Sequence, residues 1–320
     1  MKVESKLILT SKNAETGANL YTFVLTYPRV ILAEVNTHRM LSRNTASSRA
    51  IPSKKQREKV INNPFVPISM GANQKGMQAG EELTGWRRYV AIKTWELARY
   101  PMVGASWILD KVGAHKQVVN RIVEPWTWTQ QIVTCTDLKN VLKLRNHKDA
   151  EPHFHMLAAQ MQAQVEIVED VFAGGKKYEL AQLDATEEDF FKRRVDLQGC
   201  GGVGMVQILR PGTGECHLPF VSDEDMLNTV VNSMLKCSPT EALKQISTAR
   251  CARVSYYLPE DGKLSDWKRD LDLCKRLSGS GHWSPFEHVA EPVKDRSYIG
   301  NFFSWKQYRK EFAEEHGGDR

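Results

Sequence analysis

The chain has 320 residues, 41% of them hydrophobic, with Lys+Arg 44 against Asp+Glu 38 and a formal net charge of +6. That length and apolar content place it among globular proteins of one large or two modest domains. The mild basic excess suits anionic partners without separating nucleic acid from nucleotides or phosphorylated cofactors. No window nears the length of a membrane span and the N-terminus lacks a signal-peptide apolar run, so a cytoplasmic protein with no membrane partner is expected. The six cysteines (Cys135, Cys200, Cys216, Cys237, Cys251, Cys274) form no CxxC pair, which argues against a disulfide framework or a standard zinc site and for buried thiols.

The run LYTFVLTYPRVILAEV over 20–35 is rich in β-branched and aromatic types, and Pro28 divides it into two short strands or one strand with an edge break. The next stretch, NTHRMLSRNTASSRAIPSKK, loses the apolar period and reads as a polar loop or short irregular helix. Helical segments are expected over about 84–147, including TGWRRYVAIKTWELARY and DLKNVLKLR, both facing the core. Pro152 opens a strongly periodic helix through Phe154, Leu157, Ala158, Met161, Val165, Val168 and Phe172, ending at Gly174-Gly175. Residues 173–220, charged and then glycine-rich, look like an inserted excursion, the bland alternative being a surface loop region. Ser238-Pro239-Thr240-Glu241 is a capping box launching the helix EALKQISTARCA, and a further helix around Trp267, Leu271, Cys274 and Leu277 should stop at Gly279.

Gly199 to Gly204 matches GxGxxG, but charged residues precede it and strand-like MVQILRPG follows, the reverse of a dinucleotide fingerprint. His153 and His155 cannot share a helix face, and Cys200, Cys216 and His217 lack a fourth ligand at a recognisable spacing, so no metal is expected. The segment from Thr37 to Arg49 holds three arginines, a histidine and several hydroxyls, donors able to bind a phosphate and a planar anionic ring together. Gly281 to His288, GHWSPFEH, gathers two histidines, a carboxylate and two aromatics. The bland alternatives are a solvated basic loop and a turn in which Glu287 and His288 satisfy each other.

His38, Arg39, Ser42, Asn44, Ser47 and Arg49 resemble the signature RHRxxSxNExSxR of the flavin-dependent thymidylate synthases (ThyX). Ala252-Arg253-Val254-Ser255 and Gly281–His288 are similar to that family's ARVS and GHxSPFEH elements, and Asn120-Arg121 with Pro125, and Asn140 to Arg145, to two later ones. The match covers roughly 20–170 and 243–290, with its halves in swapped order. The resemblance therefore implies a circularly permuted α+β fold with a central β-sheet flanked by helices: 1–172 resembling the family's C-terminal half, 173–240 an insertion of unknown role, 241–320 resembling the N-terminal half. No counterpart is assigned to the tail NFFSWKQYRKEF. Thr37 replaces the first signature arginine, Thr45 the glutamate, and Glu34 and Glu151 stand where the family has glutamines.

By the same resemblance the chain is expected to methylate dUMP to dTMP with FAD as cofactor and methylenetetrahydrofolate and NADPH as co-substrates, as a homotetramer. Arg145 would polarise the pyrimidine; Ser47, Ser48, Arg49 and Arg121 would hold the nucleotide; His38, Arg39, Asn140 and Ser284 would contact FAD, with His282 on the flavin and folate side. Two other readings remain: a related flavin- and folate-dependent pyrimidine modification such as hydroxymethylation, and a non-catalytic basic module binding nucleic acid through the arginine loop and the tail.

Overall fold

The computed structural model describes residues 2–76, 78–172, 205–211, 215–222, 224–225, 229, 237–256 and 266–312. The GxGxxG segment, Cys200 and the expected helix end at Gly174-Gly175 lie outside the described residues.

A five-stranded sheet in the order β3-β4-β2-β1-β5 organises the chain. Its strands are β1 (Glu4–Asn13), β2 (Asn19–Pro28), β3 (Ser42–Thr45), β4 (Trp128–Cys135) and β5 (Met205–Leu209); β5 pairs parallel to β1 and the other pairs are antiparallel. Asn13 shapes the β1–β2 turn, its Oδ1 accepting from the backbone N–H groups of Glu15 (3.1 Å) and Thr16 (3.2 Å). Gly17 follows at φ 76°, where a side chain would be strained.

Pro28 is the last β2 residue, so of the two expected arrangements the one with a second strand beyond it does not form. The chain instead turns through a 3-10 segment (Arg29–Ile31) into a single helical turn, α1 (Leu32–Val35), because Ile31 and Val35, four apart, both enter the core. The polar stretch that follows contains β3, an edge strand hidden in the sequence by its lack of apolar residues. A strand also interrupts the region expected to be helical: β4 lies at 128–135 between helices. Its Trp, Thr, Ile and Val content is β-favouring.

Further helices among the described residues are α2 (Ser53–Asn62), α3 (Gly85–Lys111), α4 (Lys116–Val119), α5 (Lys139–Arg145), α6 (Pro152–Phe172), α7 (Pro239–Arg253) and α8 (Trp267–Gly279). On α6, Phe154, Leu157, Met161, Val165 and Val168 recur at helical spacing and pack on Leu7, Tyr21, Phe23, Leu25, Tyr27, Val133 and Cys135 of the sheet. Each such large apolar side chain contributes roughly 2 kcal/mol on burial. Glu151 caps α6, accepting from Phe154 N (2.8 Å) and pairing with His153 Nδ1 (2.6 Å), which gives both Glu151 and His153 structural partners. α5 also packs here through Val141 and Leu142, although Leu144 points to solvent.

α3 departs from the expectation of a core-facing helix. One side, with Trp95, Met102 and Val103, packs on Val60, Val123 and Trp126, whereas Trp86 is 76% and Leu97 60% exposed.

The opposite sheet face carries polar residues and is covered by the C-terminal region. Ser238 caps α7, accepting from Glu241 N (3.2 Å), but the Glu241 side chain is held by Gln245 (3.0 Å) and the Tyr308 hydroxyl instead of closing the box. Asp266 caps α8, which ends at Gly279. Short strands β6 (Ala290–Pro292), β7 (Tyr298–Ile299), β8 (Phe302–Phe303) and β9 (Trp305–Gln307) complete the described chain. The described part of 205–220 does not fit the surface-loop alternative. β5 joins the sheet and His217 is fully buried, bridging to Ala290.

No helix among the described residues is long and apolar enough to cross a membrane, and none of their His, Cys, Asp and Glu residues group into a metal-binding set.

Candidate functional site

β3 is where the sequence-distant motifs meet. Asn44 Oδ1 accepts from Ser255 Oγ (3.0 Å) and Ser284 Oγ (3.4 Å), while its Nδ2 donates to Cys251 O (3.0 Å). Ser47 N donates to Ser255 O (3.0 Å). One asparagine thus ties the arginine-rich loop to ARVS and to GHWSPFEH, segments more than 200 positions away. Ser42 Oγ, at the other end of β3, accepts from Asn301 Nδ2 and Gln307 Nε2, both at 2.9 Å. The tail, for which the sequence offers no counterpart, therefore clamps the signature strand.

Arg145 ends α5 and reaches the same side of the molecule as the loop. Its Nε donates to His38 Nε2 (3.0 Å), its Nη1 lies 3.6 Å from Glu34 Oε2, and its guanidinium sits 4.9 Å from the Phe154 ring centre. Because Nε2 accepts, His38 carries its proton on Nδ1. Burial lowers the His38 pKa, and Arg145 and Arg43 lower it further. A neutral imidazole beside a permanent cation is thus maintained, and the guanidinium is oriented by a lone pair, an aromatic face and a carboxylate.

The segment around Asn120 braces the far end of the loop. Asn120 Nδ2 donates to Ser48 O (2.7 Å) and Ile51 O (2.9 Å), fixing the turn that carries Arg49. Ser48 is buried and donates its hydroxyl proton to Glu124 Oε1 (2.6 Å), which also meets Arg29 Nε at 3.2 Å. The Ser48 hydroxyl is therefore committed within the protein. Arg39, Arg49, Arg121 and Asn140 are all exposed, and none has a partner among the described residues. Ser47 and Ser284 are half-buried. His282 is exposed and exchanges a hydrogen bond with Ser280 (3.0 Å).

The departures from the signature have structural partners. Thr45 Oγ1 accepts from Gln131 Nε2 (2.6 Å), which also reaches Asn36 Oδ1 (3.3 Å), while Gln131 Oε1 accepts from the Tyr27 hydroxyl (2.9 Å). Thr37 Oγ1 closes on Glu34 O (2.6 Å). Of the three loop arginines, Arg43 is half-buried and donates to Asn36 O (2.5 Å), leaving Arg39 and Arg49 facing solvent.

Glu287 and His288 do not satisfy each other as the bland turn would have it. Glu287 pairs with Arg309 of the tail and His288 Nδ1 with Thr134 (2.9 Å). Arg253 of ARVS is likewise a strut, donating to Asp270 Oδ1 from Nε (3.0 Å), with Nη2 at 2.9 Å from that oxygen. Gln131, Asn301 and Gln307 carry no sequence signal of their own, since each matters only through the strand or tail that delivers it.

No family model matches the chain, and no curated protein matches it. Among solved structures it is similar to a UMP/dUMP methylase, PolB, from Streptomyces cacaoi bound with 5-Br UMP, at 17% identity, 47% of this chain, 68% of that one and a TM-score of 0.38. The same enzyme bound with 5-Br dUMP gives 16% identity, 49% and 72% coverage and a TM-score of 0.37. Thymidylate Synthase X (ThyX) from Helicobacter pylori with FAD and dUMP gives 15% identity, 44% and 64% coverage and a TM-score of 0.29.

Proposed function

We propose that the chain is a flavin-dependent thymidylate synthase with its two halves in permuted order, reductively methylating dUMP to dTMP. The observation that supports this best is the convergence on Asn44 of three motifs that the resemblance alone would link. A solvated basic loop has no reason to bind Ser255 and Ser284 through one buried-side amide oxygen.

The donor set fits the anionic groups such a reaction requires. Arg39, Arg49, Arg121 and Asn140 are exposed donors with no partner among the described residues, the type that binds phosphate oxygens. In this reading Arg39, Asn140, Ser284, His282 and the His38 ring line the FAD side, and Ser47, Arg49 and Arg121 hold dUMP, with Ser48 shaping the loop from beneath. FAD, when bound and reduced, supplies one-carbon transfer and hydride chemistry; methylenetetrahydrofolate and NADPH are the co-substrates.

The protein's own task is to favour negative charge on the pyrimidine as its fifth carbon becomes nucleophilic. Arg145 does this without gaining or losing a proton, and neutral His38 holds the guanidinium in place without competing for the charge. Ser47 serves in binding; among the described residues it has no histidine partner to act as its base.

A second copy of the chain is proposed to cover α3. Its exposed Trp86, Tyr89, Val90, Leu97, Tyr100, Trp107 and Ile108 recur on one side of a helix about 40 Å long, an apolar face of the kind that marks an interaction surface. Two of the charges beside them are paired, Lys93 with Glu96 (2.7 Å) and Arg88 with Glu82 (3.1 Å). This supports the homotetramer that the resemblance implies.

Glu34 beside Arg145 favours one second reading, in which a related pyrimidine product such as the hydroxymethylated nucleotide is made. Incubation with dUMP, methylenetetrahydrofolate, NADPH and FAD, followed by mass analysis, separates the two. dTMP supports the first reading, a product heavier by one oxygen the second, and unchanged dUMP removes both.

A further inference from the structure

The sheet face opposite α6 is crossed by a buried line of polar groups that no functional role above absorbs. Ser11 Oγ donates to Gln207 Oε1 (3.3 Å) and lies 2.8 Å from His217 Nδ1. His217 Nε2 is 2.7 Å from Thr22 Oγ1, which is 2.7 Å from Thr134 Oγ1, which is 2.9 Å from His288 Nδ1. Ser11, Thr22, Thr134, His217 and His288 are all completely buried.

Proton counting gives this line a direction. Ser11 has spent its only proton on Gln207, so it must accept from His217 Nδ1–H. His217 Nε2 then holds a lone pair and accepts from Thr22, Thr22 accepts from Thr134, and Thr134 accepts from His288 Nδ1–H. Both histidines are neutral Nδ1–H tautomers, in keeping with burial that pushes each pKa down to about 3. The line joins β1, β2 and β4 to the 205–217 segment and to the last residue of GHWSPFEH, and Thr134 stands opposite Ser42 of β3 in the ladder.

We propose that His288 is a positioning residue: through Thr134 and the oriented chain ending at Ser11, it sets the GHWSPFEH turn on the sheet so that Ser284 meets Asn44. Apolar packing is non-directional and would tolerate sliding of one layer over the other. A single file of donors and acceptors does not, because a displaced layer strands several buried polar groups at once. The neighbouring apolar contacts, Ile132 with Cys251 and Val254, and Leu20 and Leu209 with Ala290, Phe302 and Trp305, hold the layers together but do not fix their register. The strut itself is independent of the proposed function; its effect on flavin rests on that reading.

The test combines nitrogen-15 histidine NMR of the intact protein with three variants. Both buried histidines should show a protonated Nδ1, an unprotonated Nε2 and slow Nδ1–H exchange. H288N keeps a donor near the Nδ1 position; H288L and T134V remove the same bond from its two ends. H288L and T134V should raise the FAD dissociation constant about tenfold and accelerate amide exchange at Ser47, whereas H288N should stay within about threefold of the parent. T134V, nearly isosteric, keeps the comparison available if H288L does not fold. An Nε2–H tautomer at either histidine, or H288N behaving like T134V, would overturn the proposal. If the parent protein binds no FAD, the functional reading fails while the NMR and exchange results still decide on the strut.

Discussion

Two neutral histidines sealed in the core make the fold acid-sensitive in a window where carboxylates contribute little. Each imidazole has its folded pKa lowered from 6.5 to about 3, chiefly by burial. The folded state therefore binds fewer protons than the unfolded chain. The stability gained from a neutral, hydrogen-bonded imidazole is complete above pH 6.5 and is lost as pH falls from there toward 3. Each histidine should contribute a slope of up to about 1.4 kcal/mol per pH unit, and charging one in place would cost on the order of 4–5 kcal/mol. His38, lowered for the same reason, adds in the same direction. Urea denaturation from about pH 6.2 to 4.8, above most carboxylate pKa values, isolates these groups. Asparagine at 288 keeps the donor to Thr134 but cannot titrate, so H288N should have a slope lower than the parent's by roughly 1 kcal/mol per pH unit. Equal slopes would show that His288 is not a buried neutral group, and the reasoning would fail.

Replacing Glu34 by glutamine leaves Arg145 on His38 and Phe154 but removes the carboxylate 3.6 Å from its guanidinium; a half-exposed pair is worth about 0–1 kcal/mol, so dUMP should bind up to about fivefold tighter by calorimetry. Weaker binding would place Glu34 on the substrate as a contact rather than as a competitor. N44A removes the acceptor shared by Ser255 and Ser284 and the donor to Cys251 O, and should lower the unfolding free energy by about 1–3 kcal/mol and reduce FAD uptake, measured by denaturant titration and flavin absorbance. L97K with Y100K on the exposed face of α3 should shift the mass seen by light scattering to that of a monomer, with secondary structure retained by circular dichroism.

The elements legible in the sequence were those whose pattern is local. The periodic run from Phe154 to Val168, the Ser238 cap and the stop at Gly279 each depend on neighbours along the chain, and they appear where expected. β1 and β4 carry no alternating strand signature in the sequence because their polar residues do not face water. Ser11, Thr22 and Thr134 meet buried histidines, and Ser5 meets Gln164 (2.9 Å), so alternation of burial does not appear as alternation of polarity. Conversely α3 reads as a core helix because its apolar period carries no mark of which residues, such as Trp86 and Leu97, stay exposed in the folded chain. Within the candidate site, the arginine loop and GHWSPFEH stood out by density, but that Asn44 joins them, or that Gln307 and Asn301 clamp Ser42, depends on contacts across the whole chain.

The central claim is that Arg145 and the signature loop serve one pyrimidine nucleotide on a flavin, and product formation tests it most directly. Purified protein supplied with FAD, NADPH, methylenetetrahydrofolate and dUMP should yield dTMP, and R145A, which keeps the loop and its Asn44 contacts, should lower the turnover at least about a hundredfold. A parent protein that neither takes up FAD nor converts dUMP, or an R145A variant as active as the parent, would contradict the account.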